Sequence, residues 1–411
     1  MSDNEPISKQ PSRRHSTAWR RYPTRVVAAL ILAGPIHAAS AAEVIPGGIQ
    51  LEPEASVDAV PRDVVDTGVE STTSAAGEPA KTREFVVAPL PSYSSLLGWT
   101  LAVPAMFIYK PAIAGEEGSP WISGAAAFYS ANESVGGGLY HRMSLDDDRW
   151  RLTGAAFLAD LRYDYFGIGN PGDFSIPLKQ KVSVLLAQAL YEVAEDLYVG
   201  IRASVSTTEV GFDIPVDNLP PIIEPGDLAR DFKLVSLAPT IQYDTRDSLF
   251  YPRDGWLVEG RAALGIEGIG SDLGYEKYTI AANRYASIGP STVLALRAAS
   301  EYAGGDAPFF LYPAFGSQSD LRGYETGTYR DRFLLAVQGE LRHRFTDRIG
   351  AVAFAGIGTI ASDFADWGPS LPSAGLGLRY VLAPKYGMSL RVDVAVGRDD
   401  TQFYVSIGEA F

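Results

Sequence analysis

The sequence predicts an all-β protein: one transmembrane antiparallel β-barrel of about 16 strands, with a long loop between two of them. Three observations predict it. From Phe85 to Phe411, apolar and polar residues alternate with a period of two in one segment after another. That period belongs to strands with two unlike faces. The chain of 411 residues is 46% hydrophobic and 11% aromatic with 41 glycines, yet its mean hydropathy is only +0.01. Helical membrane spans need long apolar runs, whereas a barrel strand turns only alternate residues to lipid. Finally, short connections alternate with long ones, which gives the sheet two inequivalent ends, as tight periplasmic turns and long outer loops do.

The chain opens on a basic stretch with Arg13, Arg14, Arg20, Arg21 and Arg25, then apolar Val26 to Ala33, then Ala39-Ser40-Ala41-Ala42. Basic, apolar and small in that order reads as an export signal over 1–42. Its apolar part, broken by Gly34-Pro35, is too short to span a bilayer. Removing it takes away six basic and two acidic residues, so the mature chain is more acidic than the whole chain at −14. Such a surface argues against nucleic acid as a partner. There is no cysteine, and only His141 and His343 lie beyond the signal, so neither a disulfide framework nor a His/Cys metal site is expected. Residues 43–83 are rich in Glu, Pro, Ser, Thr, Ala and Val without a sustained period. They read as a disordered linker, too short for a domain of ordinary size, with the barrel following over 84–411.

Strands are predicted to start near Phe85, Leu97, Trp121, Glu133, Arg149, Lys181, Leu197 and Phe232. The second half adds Trp256, Tyr275, Thr292, Phe333, Ile349, Ser373, Met388 and Phe403. The first is short and carries Pro89 and Pro91; proline donates nothing to a ladder, so poor pairing with the last strand, Gln402 to Phe411, is expected. Tight turns at Ser144 to Asp148, Ala194 to Asp196, Gly289-Pro290 and Thr346-Asp347 alternate with long links such as Glu209 to Asp231 and Gly304 to Arg332. Around the longest link, Leu294, Leu296, Ala298 and Tyr302 oppose Arg297 and Glu301, and Phe333, Leu335, Val337 and Leu341 oppose Gln338, Glu340 and Arg342. Faces so charged meet water or an ion-pair network. In the link lies Leu321-Arg322-Gly323-Tyr324; alone, Arg322 reads as a solvated loop arginine. The cleanest alternation sets Met388, Leu390, Val392, Val394 and Val396 toward lipid, with Arg391 and Asp393 inside. In the last strand Phe403, Val405, Ile407 and Phe411 share a face that Glu409 interrupts, and a terminal aromatic suits a membrane interface.

Candidate chemistry is sparse. Asp146-Asp147-Asp148 reads as a turn, since a hard cation needs more oxygen ligands in defined geometry. Asp244, Arg246, Asp247 and Asp254 read as a charge-paired turn. A hydrolase needs a serine or acid beside a histidine, and the sequence identifies no such partner for His141 or His343. No enzyme, cofactor or metal is expected.

Three motifs carry a resemblance. Leu321-Arg322-Gly323-Tyr324 is followed by Tyr329-Arg330-Asp331; Asp244-Thr245-Arg246-Asp247 precedes Pro252-Arg253-Asp254-Gly255-Trp256; and Tyr165-Phe166-Gly167-Ile168-Gly169-Asn170 stands upstream. In that arrangement, ending at Phe411, they resemble the BamA/TamA-like outer-membrane barrel-assembly and bacterial surface antigen superfamily. The first is similar to the family's Arg-Gly-aromatic loop between strands eleven and twelve, the second to its turn after strand eight, and the third to a loop entrance. The resemblance implies that the loop folds into the lumen and that Arg322, with Gly323 and Tyr324, locks there against an inward acid, matched by Glu340. The family's second acid lies in a Phe-x-Asp-x-Gly strand, where this chain has Phe354-Ala355-Gly356-Ile357-Gly358; a weaker lock is therefore expected. Other residues implied for the lumen network are Arg297, Glu301, Arg342, Arg379, Arg391 and Asp393. The turn motif comprises Asp244, Arg246, Asp247, Pro252 and Gly255, and Phe411 resembles the signal read by the outer-membrane assembly machinery. Function is implied as a protein insertase or translocase in the outer membrane of a Gram-negative bacterium, with lipids, the assembly machinery and unidentified clients as partners. Relatives usually carry POTRA domains ahead of the barrel, and 43–83 holds none. A passive channel or a structural barrel is the alternative, and loosening the loop is expected to raise conductance.

Overall fold

The computed structural model describes residues 83–411 except 95–96, 117, 166–167, 169–175, 213–228, 317–319, 364–365 and 399. The described residues lie within one of the chain's two compact units, Pro35–Phe411. The stretches read from the sequence as an export signal, 1–42, and a linker, 43–83, lie outside the described residues, except that Arg83 opens the first strand. The strands are β1 (Arg83–Val87), β2 (Leu90–Ser94), β3 (Gly98–Tyr109), β4 (Trp121–Ser130), β5 (Val135–Leu145) and β6 (Trp150–Tyr165). Next come β7 (Ile176–Ala194), β8 (Leu197–Phe212), β9 (Ala229–Asp244), β10 (Gly255–Gly265), β11 (Tyr275–Ser287) and β12 (Thr292–Gly305). The last are β13 (Phe333–Arg344), β14 (Ile349–Asp363), β15 (Asp366–Trp367), β16 (Leu371–Ala383), β17 (Met388–Val396) and β18 (Thr401–Ile407).

These segments build an antiparallel barrel with sixteen staves. β1 and β2 lie in line along β3, with Val87 opposite Ala105 and Leu90 opposite Ala102, and together form one stave interrupted at Ala88-Pro89. The Ala88 N–H still reaches the Pro104 carbonyl at 3.3 Å. Two-residue β15 is an appendage of β14, which pairs with β16 over ten residues from Ile349 to Gly358. β18 stands beside β2 in the strand order, and Val405 and Ile407 pack against the cluster around Leu90 and Leu97.

Alternation sorts the two faces as the sequence predicts. Leu101, Leu139, Leu158, Leu185, Val337, Leu376 and Val394 are exposed on the outer wall, while Gln180, Arg202, Glu259, Arg342 and Arg391 are buried inside. Interior charge is tolerated because the barrel leaves those side chains each other as partners, and the outer face meets only hydrocarbon. Met388 departs from expectation. Instead of facing lipid it is fully buried beside Ile108, Ile122, Tyr140, Leu249 and Phe250. The register shift between Val381 and Ala383 breaks the period-two pattern at the β16–β17 hairpin, and both Met388 and Ser389 are buried.

Connection length is also a looser marker than expected. Tight turns at 146–149, 195–196, 288–291, 345–348 and 384–387 share one end with Arg83, where the first strand begins, and with Phe411, the periplasmic end in such barrels. Yet 110–120 and 245–254 at that end are long, and 131–134 and 397–400 at the other end are short.

Candidate functional site

β12 and β13 are adjacent staves, with Tyr302 opposite Phe333, yet 306–332 lies between them. This loop folds over the lumen. The Phe309 ring meets Tyr165 of β6 at 4.5 Å and Phe310 meets Phe232 of β9 at 5.6 Å. Within it, Ala314 bridges Arg330, and Phe315, Leu321, Tyr324 and Tyr329 pack on Ala299, Leu334, Ala336, Ile360 and Leu371 of the inner wall. Burying large apolar side chains contributes about 1.5–3 kcal/mol each, more than the net gain from buried ion pairs. Packing therefore supplies most of the energy that seats the loop, and its charges set its register and hold it, because removing one leaves its buried partners uncompensated.

Gly323 makes the approach possible. Its φ is +102°, and a Cβ there would lie 2.7 Å from the Gly397 nitrogen, so a side chain is excluded both by conformation and by the β17 backbone. Its N–H donates to the Tyr404 hydroxyl at 2.9 Å, the Tyr324 hydroxyl donates to the Pro372 carbonyl at 2.5 Å, and Ser373 donates to the Arg322 carbonyl. The loop tip is thereby tied to β16 and β18.

The Arg322 guanidinium is fully buried. It donates to Glu340 and to Asp393 and lies over the Phe354 ring, 3.5 Å from its centroid. Glu340 also accepts from Arg342 at 2.8 Å, Asp393 accepts from Arg379 at 2.6 Å, and the Arg391 Nε lies 3.7 Å from Asp393. Arg379 continues to Glu409 at 2.7 Å, and Arg342 donates to the Phe411 carbonyl oxygen at 2.8 Å. Buried ions cost desolvation energy, which charge-assisted bonds offset only when most partners are satisfied. A continuous cluster meets that condition better than a pair.

Two expectations change here. The second acid at Arg322 is not lost with Gly356; Asp393, on β17, supplies it. A Cβ on Gly356 would stand 2.7 Å from the Gln338 Cβ and 3.0 Å from the Leu321 Cδ1, so the loop occupies the space an acid there would need. Glu409 does not break the lipid face of the last strand. β18 ends at Ile407, Gly408 has φ +91°, and Glu409 turns inward to the arginines. Phe411 lies on the lumen side, its ring 5.2 Å from the Arg342 guanidinium, instead of at the membrane interface. Arg297 and Glu301 are apart from the cluster: Arg297 pairs with Asp320 at 2.7 Å and Glu301 with Lys277 at 3.3 Å. The sequence assigns no role to Asp320 or Tyr404 and marks Glu409 only as an interruption of a lipid face; of the three, only Tyr404 carries a usable signal in its alternation.

At the periplasmic end, buried Asp244 accepts from Arg246 at 2.8 Å and Arg151 at 3.1 Å, and Arg151 also pairs with Asp148 at 2.7 Å. Asp148 is thus an ion-pair residue. Asp247 accepts from the Arg253 N–H at 2.8 Å and the Asp254 N–H at 3.2 Å, closing the turn around Pro252 before Gly255 opens β10 with φ +106°. The motif at Tyr165 to Asn170 lies outside the described residues apart from Tyr165 and Ile168. Both histidines have partners that the sequence did not reveal: Ser123 Oγ lies 3.0 Å from His141 Nδ1, and Thr292 Oγ1 lies 2.8 Å from His343 Nδ1. Cross-strand pairing places each hydroxyl opposite its imidazole.

A family model described as the Omp85 superfamily domain matches residues 128–411. The fold is similar to BamA from Haemophilus ducreyi lacking POTRA domains 1-3, with 15% identity and TM-score 0.53, over 80% of this chain and 70% of that one. CdiB from Acinetobacter baumannii gives 11% and 0.50, over 79% and 59% of the two chains. CdiB from Escherichia coli gives 10% and 0.55, over 80% and 63%. The chain thus spans less than two thirds of either CdiB. No curated protein matches by sequence.

Proposed function

Given that the chain belongs to the Omp85 superfamily, and so to the outer membrane of a Gram-negative bacterium, we propose that it inserts or exports polypeptides there. The observation that carries this reading is the arginine cluster, which joins the lumen loop to β13, β16, β17 and the residues after β18. In this reading Arg322, Gly323, Tyr324 and Glu340 hold the loop. The lock links lumen contents to the last stave, next to a first stave broken at Ala88-Pro89. A barrel that opens beside its first and last strands to pass a polypeptide into the membrane needs a weak edge and a firm reference for it. A passive channel needs neither.

The test is reconstitution. Purified full-length protein in liposomes of outer-membrane phospholipids should speed the folding of a small denatured outer-membrane barrel, followed by its heat-modifiable gel migration. Folding at the rate seen in empty liposomes, together with no transfer of an unfolded polypeptide across the bilayer, would leave a structural barrel.

A further inference from the structure

The long periplasmic connection, 245–254, lies at the end where a turn of a few residues would suffice. From the geometry we infer that it is a second closure of the lumen, a floor opposite the loop at 306–332. β9 and β10, which it joins, face the region around β17, β18 and β3 across the ring. Leu249 and Phe250 are buried against Ile108 of β3, Ile122 of β4, Tyr140 of β5, Ala383 of β16 and Met388 of β17. Ile108, Ile122 and Tyr140 sit on the inward faces of their strands, so the connection reaches across the periplasmic mouth to the far wall.

Both ends of this span are held. The Arg253 guanidinium donates to the Gly289 and Pro290 carbonyls at 3.0 and 2.8 Å, tying one side to the β11–β12 turn. Asp244 and Asp247 hold the turn's own shape. On the other side the Phe250 ring meets Tyr386 of the β16–β17 turn at 6.3 Å. The Arg344 guanidinium covers Tyr251 at 3.7 Å. This also accounts for Met388, whose inward burial completes the apolar seam. Apolar constrictions stop ion flow by excluding water, so a floor of Leu249, Phe250, Ile108 and Met388 closes the lumen whatever the loop above does. The inference rests on the fold alone, not on the insertase reading.

Its consequence differs from the expectation that loosening the loop alone raises conductance. Closures in series must both open. Three variants in planar bilayers test this: Arg322→Ala, the pair Leu249→Ser with Phe250→Ser, and all three substitutions together. Heat-modifiable migration verifies that each barrel has folded. Either set alone should conduct like the parent, and the combination should exceed both by about tenfold or more, the non-additivity expected of coupled sites. If the triple variant does not fold, Phe250→Ala with Arg322→Ala takes its place, and Phe250→Leu in the same background should restore closure. Full conductance from Arg322→Ala alone, or parental conductance from the folded combination, would overturn the floor. Full conductance from the Leu249 and Phe250 substitutions alone would overturn the series arrangement.

Discussion

Arg322 sits fully buried between two carboxylates, Glu340 and Asp393, each of which keeps another arginine nearby. Truncating it to alanine should therefore cost about 3 kcal/mol, the low end for breaking a buried pair, seen as a lower urea midpoint of the folded barrel. Glu340→Ala takes one carboxylate from both Arg322 and Arg342 and should cost a similar amount, and the double variant should be little worse than either single one, as residues in one network require. Strictly additive losses would mean that the two do not interact in solution. The turn residue Asp196 offers a test by pH. Burial, together with Glu195, Asp244 and Glu192, pushes its carboxyl above the usual range, against the pull of Arg151. An acid whose folded pKa exceeds its unfolded one stabilises the fold while protonated, and that contribution is lost as pH rises through the folded value. Asp196→Asn, which keeps a residue tolerant of the left-handed turn at φ +60°, should raise the midpoint at pH 7. Parent and variant should converge at acid pH; equal midpoints at both would show that the charge costs nothing.

Among the elements, β17 shows how far alternation carries. Leu390, Val392, Val394 and Val396 alternate with buried Arg391, Asp393 and Ala395, as the sequence predicts. Spin labels at Val392 and Asp393 should report lipid access at the first position and little at the second, and equal access would sink the assignment of faces. The rule fails one turn earlier, at Met388, because a bulge in the partner strand shifts the pleat, and nothing in the residues of β17 encodes what β16 does. The first stave is the converse case. Pro89 marks the interruption in its own sequence, and β1 and β2 separate there. Glycine can mislead in the same way. Gly356 reads as a missing acid along its strand, but across the lumen it is the space that Leu321 fills.

For the whole molecule, the sequence by itself determined the class of fold, about sixteen staves, the inward charges of β12, β13 and β17 and the loop that carries Arg322. Each of these follows from local rules: a period of two, turn chemistry, and a polar face with nowhere to go but inside. Arg142, Arg151, Arg202 and Lys277, buried inside as well, carry no mark in the sequence. Only the tertiary structure decided which charges meet. Asp393 is 71 residues from Arg322, and it becomes a partner because closing the ring brings β17 under the loop. Glu409 and Phe411 join the cluster because Gly408 turns the chain end inward, and Leu249 and Phe250 close the mouth because the wall opposite β9 and β10 is apolar. A strand's own residues set which side it shows the lumen, but what it faces there depends on curvature and stagger summed over all the staves, and no single segment encodes that sum.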